Sequence, residues 1–245
     1  FGMVALVLPL FPDATQTFAP GVVTLAGISV LYGGLLAIGQ TDIMRIIAGS
    51  SISHFGVIVL GIFALTSQGT SGSTFYMVSH GLSTAALFIV GGFLIARRGS
   101  RRLADFGGVQ KPAPILAGFM LVAGLSGLAM PGLATFVSEF LVLVGTFSRY
   151  QVAAALATFG IVLAALYILI MYQRTMTGPT TPETENTPDV RGREAIIVAP
   201  LFALLIALGV APTVMLDPID DATRQTLEQV GVTDPDPVFA QGGEE

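Results

Sequence analysis

Three ionisable side chains stand inside apolar stretches, where charge is costly. Glu139 is the only carboxylate between Asp105 and Glu183, and His54 and His80, the chain's two histidines, sit in two other apolar runs. A charge at mid-bilayer costs ~2.5–3.5 kcal/mol by insertion measurements, so an intramembrane acid or imidazole is read as functional by default. Imidazole takes up and gives off a proton near neutral pH, and a carboxyl alternates between acid and carboxylate. Two histidines and one acid are therefore the parts of a proton relay. Eight and seven residues before Glu139 stand Pro131 and Gly132. Pro131 lacks a backbone donor and crowds the preceding turn, and Gly132 relaxes the chain further, so a helix break is expected there.

Other polar residues could support the relay. Tyr76, His80 and Thr84 recur at i, i+4 and i+8 and share one helix face. Arg45, Ser50 and Ser53 precede His54 in one run. Each also has a structural reading. Glu139 could bond to backbone freed at the break, His54 and the serines could be interhelical hydrogen-bond partners, and Arg45 could snorkel to the interface. The glycine pairs Gly33-Gly34 and Gly91-Gly92 read as close helix packing.

The elements that must position these residues are apolar helices. The chain has 245 residues, 53% hydrophobic and 11% charged, with a mean hydropathy of +0.78. An ordinary soluble domain carries roughly 25% charge. Runs near the ~20 residues of a transmembrane helix recur, so the class is an all-α polytopic membrane protein. Residues 1–20 read as the end of a preceding helix followed by an outer loop. Spans are expected at 21–40, 43–65, 74–96, 112–148, 151–172 and 195–214. The polar stretch 67–73 reads as a turn. The run 112–148 is too long for one simple crossing, at ~54 Å if wholly helical, and cramped for two. It reads as one crossing of two half-helices. Residues 216–245 form an acidic tail with a short amphipathic turn near 220–230 and a disordered end after Asp234. By helix depth, His54 lies ~16 Å in from one end of its span, His80 ~9–12 Å and Glu139 ~12 Å in from the other end. All three reach the middle of a ~30 Å bilayer.

Charge placement fixes the topology. With 112–148 as one crossing, Arg45, Arg97, Arg98, Arg101, Arg102, Lys111, Arg174, Arg191 and Arg193 share one side, and Arg149 and Arg224 the other. Positive charge favours the cytoplasmic side, which leaves the acidic tail outside. Two crossings would blur this bias. No basic stripe for nucleic acid exists beyond these loops. Without cysteine, cysteine-ligated iron–sulfur clusters and thiol catalysis are excluded, and no metal, nucleotide or hydrolase motif is present. The chain opens on Phe1 with no signal peptide before the first apolar run, and reads as a piece of something longer or a split product.

Three stretches carry a resemblance: 40–56 (QTDIMRIIAGSSISHFG), 77–82 (MVSHGL) and 130–140, from Met130-Pro131-Gly132 to Ser138-Glu139-Phe140. Together they resemble the antiporter-like subunits of respiratory complex I (NADH–quinone oxidoreductase), and within them the M type. The likeness covers nearly all of residues 1–215. It implies a fourteen-helix fold with two inverted five-helix repeats, each holding a broken helix, of which this chain would carry the second half. It implies proton translocation driven by electron transfer in partner subunits, with NADH, FMN, iron–sulfur clusters and quinone bound there and no cofactor in this chain. Glu139, His80 and His54 match the family's relay positions, with Glu139 exchanging with the outer side and His80 and His54 linking it inward. Glutamate where sister subunits commonly carry lysine favours the M type. Met44 stands where the family often has lysine, and the first half of the relay lies outside the chain. The implied partners are neighbouring antiporter-like membrane subunits and lipid, in a bacterial plasma membrane with the acidic tail on the periplasmic side. Two alternatives stand beside this. One is a related subunit of a multisubunit Na+/H+ antiporter or membrane-bound hydrogenase, and the other a structural subunit that moves no proton.

Overall fold

In a computed structural model of the chain, residues 1–235 are described, and all regular structure among them is helical. A helical stub over Met3–Val7 and α1 (Leu8–Leu10) leads into α2 (Pro12–Ile38). Residues 12–20 are thus helix and not an outer loop. Pro12 and Asp13 open α2 rather than preceding it. Proline suits the first helical position, and an early acid suits the helix dipole. Pro20, inside the helix, interrupts the bonding ladder without ending it.

Next come α3 (Ile43–Phe63) and α4 (Ser67–Arg98). Asp42 caps α3 by accepting from the Arg45 amide. Thr66 caps α4 by accepting from Gly69 N, so 67–73 is the first two turns of a helix and not a loop. A hydroxyl at the N-cap starts a helix despite a Gly- and Ser-rich beginning. The small residues instead serve packing: a Cβ on Gly145 would meet the Gly69 Cα at 2.6 Å, and one on Gly72 the Val142 N at 2.8 Å.

The long apolar run is divided into α5 (Pro114–Gly127) and α6 (Ala134–Phe147). The interruption is wider than Pro131-Gly132 alone, since Ala129 and Gly132 both have positive φ (50° and 95°). The start of α5 lies with the basic loops, where Ala113 N donates to Val109 O and Gln110 N to Met176 O. The end of α6 lies at the opposite end, where Thr66 Oγ1 donates to Gly145 O. The two halves together make one crossing. Then follow α7 (Gln151–Met176), α8 (Gly192–Val210) and α9 (Thr213–Val230).

Among the described residues five helices, α2, α3, α4, α7 and α8, are long and apolar enough to cross a membrane, and α5 with α6 supplies the sixth crossing. The expected last span, 195–214, is shifted to 192–210. The expected amphipathic turn is a full helix, α9, which buries Thr223, Leu227 and Val230 and packs on α4, α1 and α2. Of the expected disordered end, residues 236–245 lie outside the described part.

One end of the bundle gathers the basic loops. Backbone bonds join Ile43 N to Arg101 O and Leu103 N to Thr41 O there. Arg97 donates to Glu194 Oε2 at 2.5 Å and to the carbonyls of Pro188 and Asp189. The other end carries the α4 start, Arg149 and α9. Arg149 donates to Thr233 O, and Ser67 N to the Asp234 carboxylate.

Candidate functional site

The buried polar centre is built from four helices. Gly33 of α2 and Gly56 of α3 let the two helices press close: a Cβ on Gly33 would meet the Ser53 N at 2.4 Å, and one on Gly56 the Val30 N at 2.8 Å. That contact holds α3 with His54, next to Ser53 and two residues from Gly56, turned into the bundle. On α4, Tyr76 and His80 face it. On α6, Glu139 projects from the second half-helix. Tyr167 enters from α7.

These side chains form one hydrogen-bonded line. Tyr76 Oη donates to Glu139 Oε2 at 3.3 Å, His54 Nδ1 lies 2.7 Å from Tyr76 Oη, and Tyr167 Oη lies 3.2 Å from His54 Nε2. With the Tyr76 proton directed at Glu139, Nδ1–H of His54 donates to the Tyr76 oxygen and Nε2 accepts from Tyr167. Every donor then points towards Glu139. The whole line is buried, with Tyr76 and Tyr167 each 1% exposed, Glu139 6% and His54 7%.

His80 stands beside the line. Its ring centroid is 5.1 Å from that of His54, and Thr84 Oγ1 lies 3.3 Å from its Nε2. The sequence placed His80 in the line together with His54; the geometry places Tyr76 between Glu139 and His54 and makes His80 a branch. A crevice lined by Ser50, His54, Tyr76, His80, Ser126 and Thr135 joins His80 to the helix break, and it is too narrow to admit a water molecule. Thr135, one turn before Glu139, has a buried hydroxyl without a protein partner. Two serine pairs bind α4 to the broken helix, Ser79 with Ser138 at 2.8 Å and Ser83 with Ser126 at 2.7 Å.

The supporting residues divide. Ser50 donates to Ile47 O and lines the crevice. Ser53 donates to Val30 O of α2, a helix-packing bond. Arg45 is exposed in the first turn of α3, nine residues or ~13 Å of helix from His54, and stands apart from the cluster. Met44 packs its terminal methyl near Gly91 and Gly92, so an apolar contact fills a position where the family often has lysine. Tyr167 was missed because it is embedded in an apolar run. The available signal was a tyrosine hydroxyl at mid-helix, which when buried usually finds a partner.

The helix break is held from outside. A Cβ on Gly209 of α8 would lie 2.4 Å from the Gly132 carbonyl oxygen, so α8 touches the broken backbone directly. Such irregular backbone is tolerated at membrane depth where protein covers it. Towards the basic end the line is closed by an apolar core that includes Ile46, Ile47, Leu87, Val90, Met120 and Met171.

The fold and the site define a polytopic helical membrane protein with a discontinuous helix set against a buried line of ionisable side chains. The chain belongs to the NADH:quinone oxidoreductase/Mrp antiporter transmembrane family, whose family model matches residues 1–164. It is 58% identical over 240 residues to NADH-quinone oxidoreductase subunit M of Mycobacterium tuberculosis, covering 98% of this chain and 43% of that protein. A solved respiratory complex I from Thermus thermophilus with bound NADH contains a chain that superposes with a TM-score of 0.89 at 28% identity, over 95% of this chain and 49% of that one. The Mrp complex from Dietzia sp. shares the fold, with a TM-score of 0.76 at 23% identity, over 89% of this chain and 50% of that one. The chain thus spans less than half the length of the curated relatives it matches.

Proposed function

We propose that this chain is the second-half module of a proton-translocating membrane subunit of an NADH:quinone oxidoreductase, and that it moves protons through Glu139, Tyr76, His54 and Tyr167, with His80 as a side branch. The observation that carries this reading is the unbroken line of hydrogen bonds from Tyr167 to Glu139. When Glu139 is ionised, all donors point towards it. One hop along each bond, with one proton taken up by the Tyr167 oxygen from beyond the line, protonates Glu139, leaves Tyr167, His54 and Tyr76 neutral, and reverses every bond. Glu139 then donates to Tyr76, Tyr76 to His54 Nδ1, and His54 Nε2–H to Tyr167. The line so alternates between two polarities, and each reversal moves one charge. The subunit M relatives support the assignment to this enzyme over a Na+/H+ antiporter. Electron transfer from NADH through flavin and iron–sulfur clusters to quinone belongs to partner subunits, and this chain uses its energy. Its membrane is the bacterial plasma membrane, with the basic end cytoplasmic and α9 outside, which the positive-inside bias supports.

The test is Glu139→Gln in the intact complex reconstituted into vesicles. Loss of NADH-driven proton movement with normal subunit content is the expected result. Unchanged pumping removes Glu139 from the mechanism and favours a scaffold. Sodium-dependent transport in place of proton movement points to the antiporter reading.

A further inference from the structure

Every third residue of the outer half of α4 carries a hydroxyl: Ser67, Thr70, Ser73, Tyr76. Residues three apart on a helix are neighbours, with Cβ atoms ~5–6 Å apart. The four therefore form one oblique ridge that climbs ~13 Å along the axis. Its fourth member is Tyr76, the group bonded to Glu139, and the next hydroxyl along it, Ser79, is already paired with Ser138. The middle members, Thr70 and Ser73, are fully buried, and neither hydroxyl has a partner in the protein among the described residues. Buried hydroxyls are ordinarily satisfied, so two in succession beside an acid call for a ligand, and water is the smallest that can donate to and accept from both. The outer end opens into a cavity of about 280 Å³ lined by Ser67, Gln68, Ser71, Leu141, Asp220 and Arg224. The Ser71 hydroxyl that faces it is also unpartnered. Helix α9 roofs this vestibule. Towards the basic end the α4 hydroxyls Ser79 and Ser83 are paired with Ser138 and Ser126, and beyond them lies the apolar core.

We infer that the Tyr76–Ser73–Thr70–Ser67 ridge, with water bridging its hydroxyls, is the proton path between Glu139 and the vestibule under α9. This rests on the proposed function. In the release direction, protonated Glu139 gives its proton to the Tyr76 oxygen. Each hydroxyl or water accepts one proton and passes its own to the next. Glu139 ends ionised, every hydroxyl ends neutral, and one proton enters vestibule water beside Asp220. The positive end of the α4 dipole lies at this mouth and opposes an arriving proton. Asp234, which accepts from Ser67 N at 2.7 Å, places a carboxylate there to offset it.

The experiment measures protons moved per NADH oxidised by the reconstituted complex for Thr70→Val with Ser73→Ala, for Thr70→Ser, and for Glu139→Gln. The double variant removes two unpartnered hydroxyls and leaves the apolar packing, so a merely structural role predicts no loss. The expected result is a proton yield as low as that of Glu139→Gln, with Thr70→Ser at the unsubstituted level because it keeps a hydroxyl. Should the double variant fail to assemble, the isosteric Thr70→Val alone carries the same expectation. Normal pumping by the hydroxyl-free variants alongside a defective Glu139→Gln overturns the ridge and leaves the proposed function standing. Normal pumping by Glu139→Gln overturns both.

Discussion

At the scale of single residues, Tyr76 is the joint of the site, because it alone touches both Glu139 and His54. Tyr76→Phe keeps the ring and its packing but cuts the line in two. Proton movement through this line coupled to NADH oxidation should fall by ~10²-fold or more, the range for loss of one positioned proton-transfer group. Vesicle acidification at matched electron-transfer rate measures it, and an undiminished yield would show that protons bypass Tyr76. Tyr167→Phe removes only the last donor and should give a smaller loss in the same assay. Glu139, His54 and His80 were legible in the sequence because charge-bearing types stand out against apolar neighbours. The order of the line was not, since it depends on rotamers and helix rotation. Tyr76 was visible as a face-mate of His80 but not as a bridge, and Tyr167 has no polar company in sequence to mark it.

At the scale of elements, the broken helix depends on two external supports. The Asp189 carboxylate accepts from Ile115 N at 3.0 Å and Leu116 N at 2.9 Å, capping α5 from the distant 177–191 loop. Arg97, itself paired with Glu194, holds the backbone at Asp189. Asp189→Ala frees two amides and should cost about 1–2 kcal/mol, as loss of a helix cap does. Thermal unfolding of the detergent-purified protein should show a lower midpoint, whereas substitution of exposed Glu185 in the same loop should not. The break itself was legible from Pro131-Gly132, because those residues disrupt helix chemically. Its width was not, since nothing in the type of Ala129 announces a positive φ. The same limit explains the start of the chain. Pro12 and Pro20 look like terminators locally, yet one opens α2 and the other sits within it. Ser67 to Ser73 looks like a loop until the Thr66 cap and the glycine contacts of α6 and α3 are present.

At the scale of the whole molecule, the crossing number follows from treating 114–147 as one interrupted span. Asn186 and Gln110 then share the basic end, while Gln151 and Gln225 share the end with α9. These 245 residues contain no cysteine, so each introduced cysteine is read against the unsubstituted protein as its background. Gln110→Cys and Asn186→Cys should react with a membrane-impermeant maleimide only in inverted vesicles, and Gln151→Cys and Gln225→Cys only in right-side-out ones. The informative pair is 110 and 151, which flank the broken segment. One crossing puts them on opposite faces and two crossings put them on the same face. Same-face labelling of 110 and 151 would put Asn186, one crossing beyond Gln151, on the face opposite Gln110 and dissolve the basic-end cluster of arginines. It would leave Glu139 without the outward exposure that the vestibule under α9 supplies. The topology assay therefore bears on the direction of proton movement before any pumping is measured.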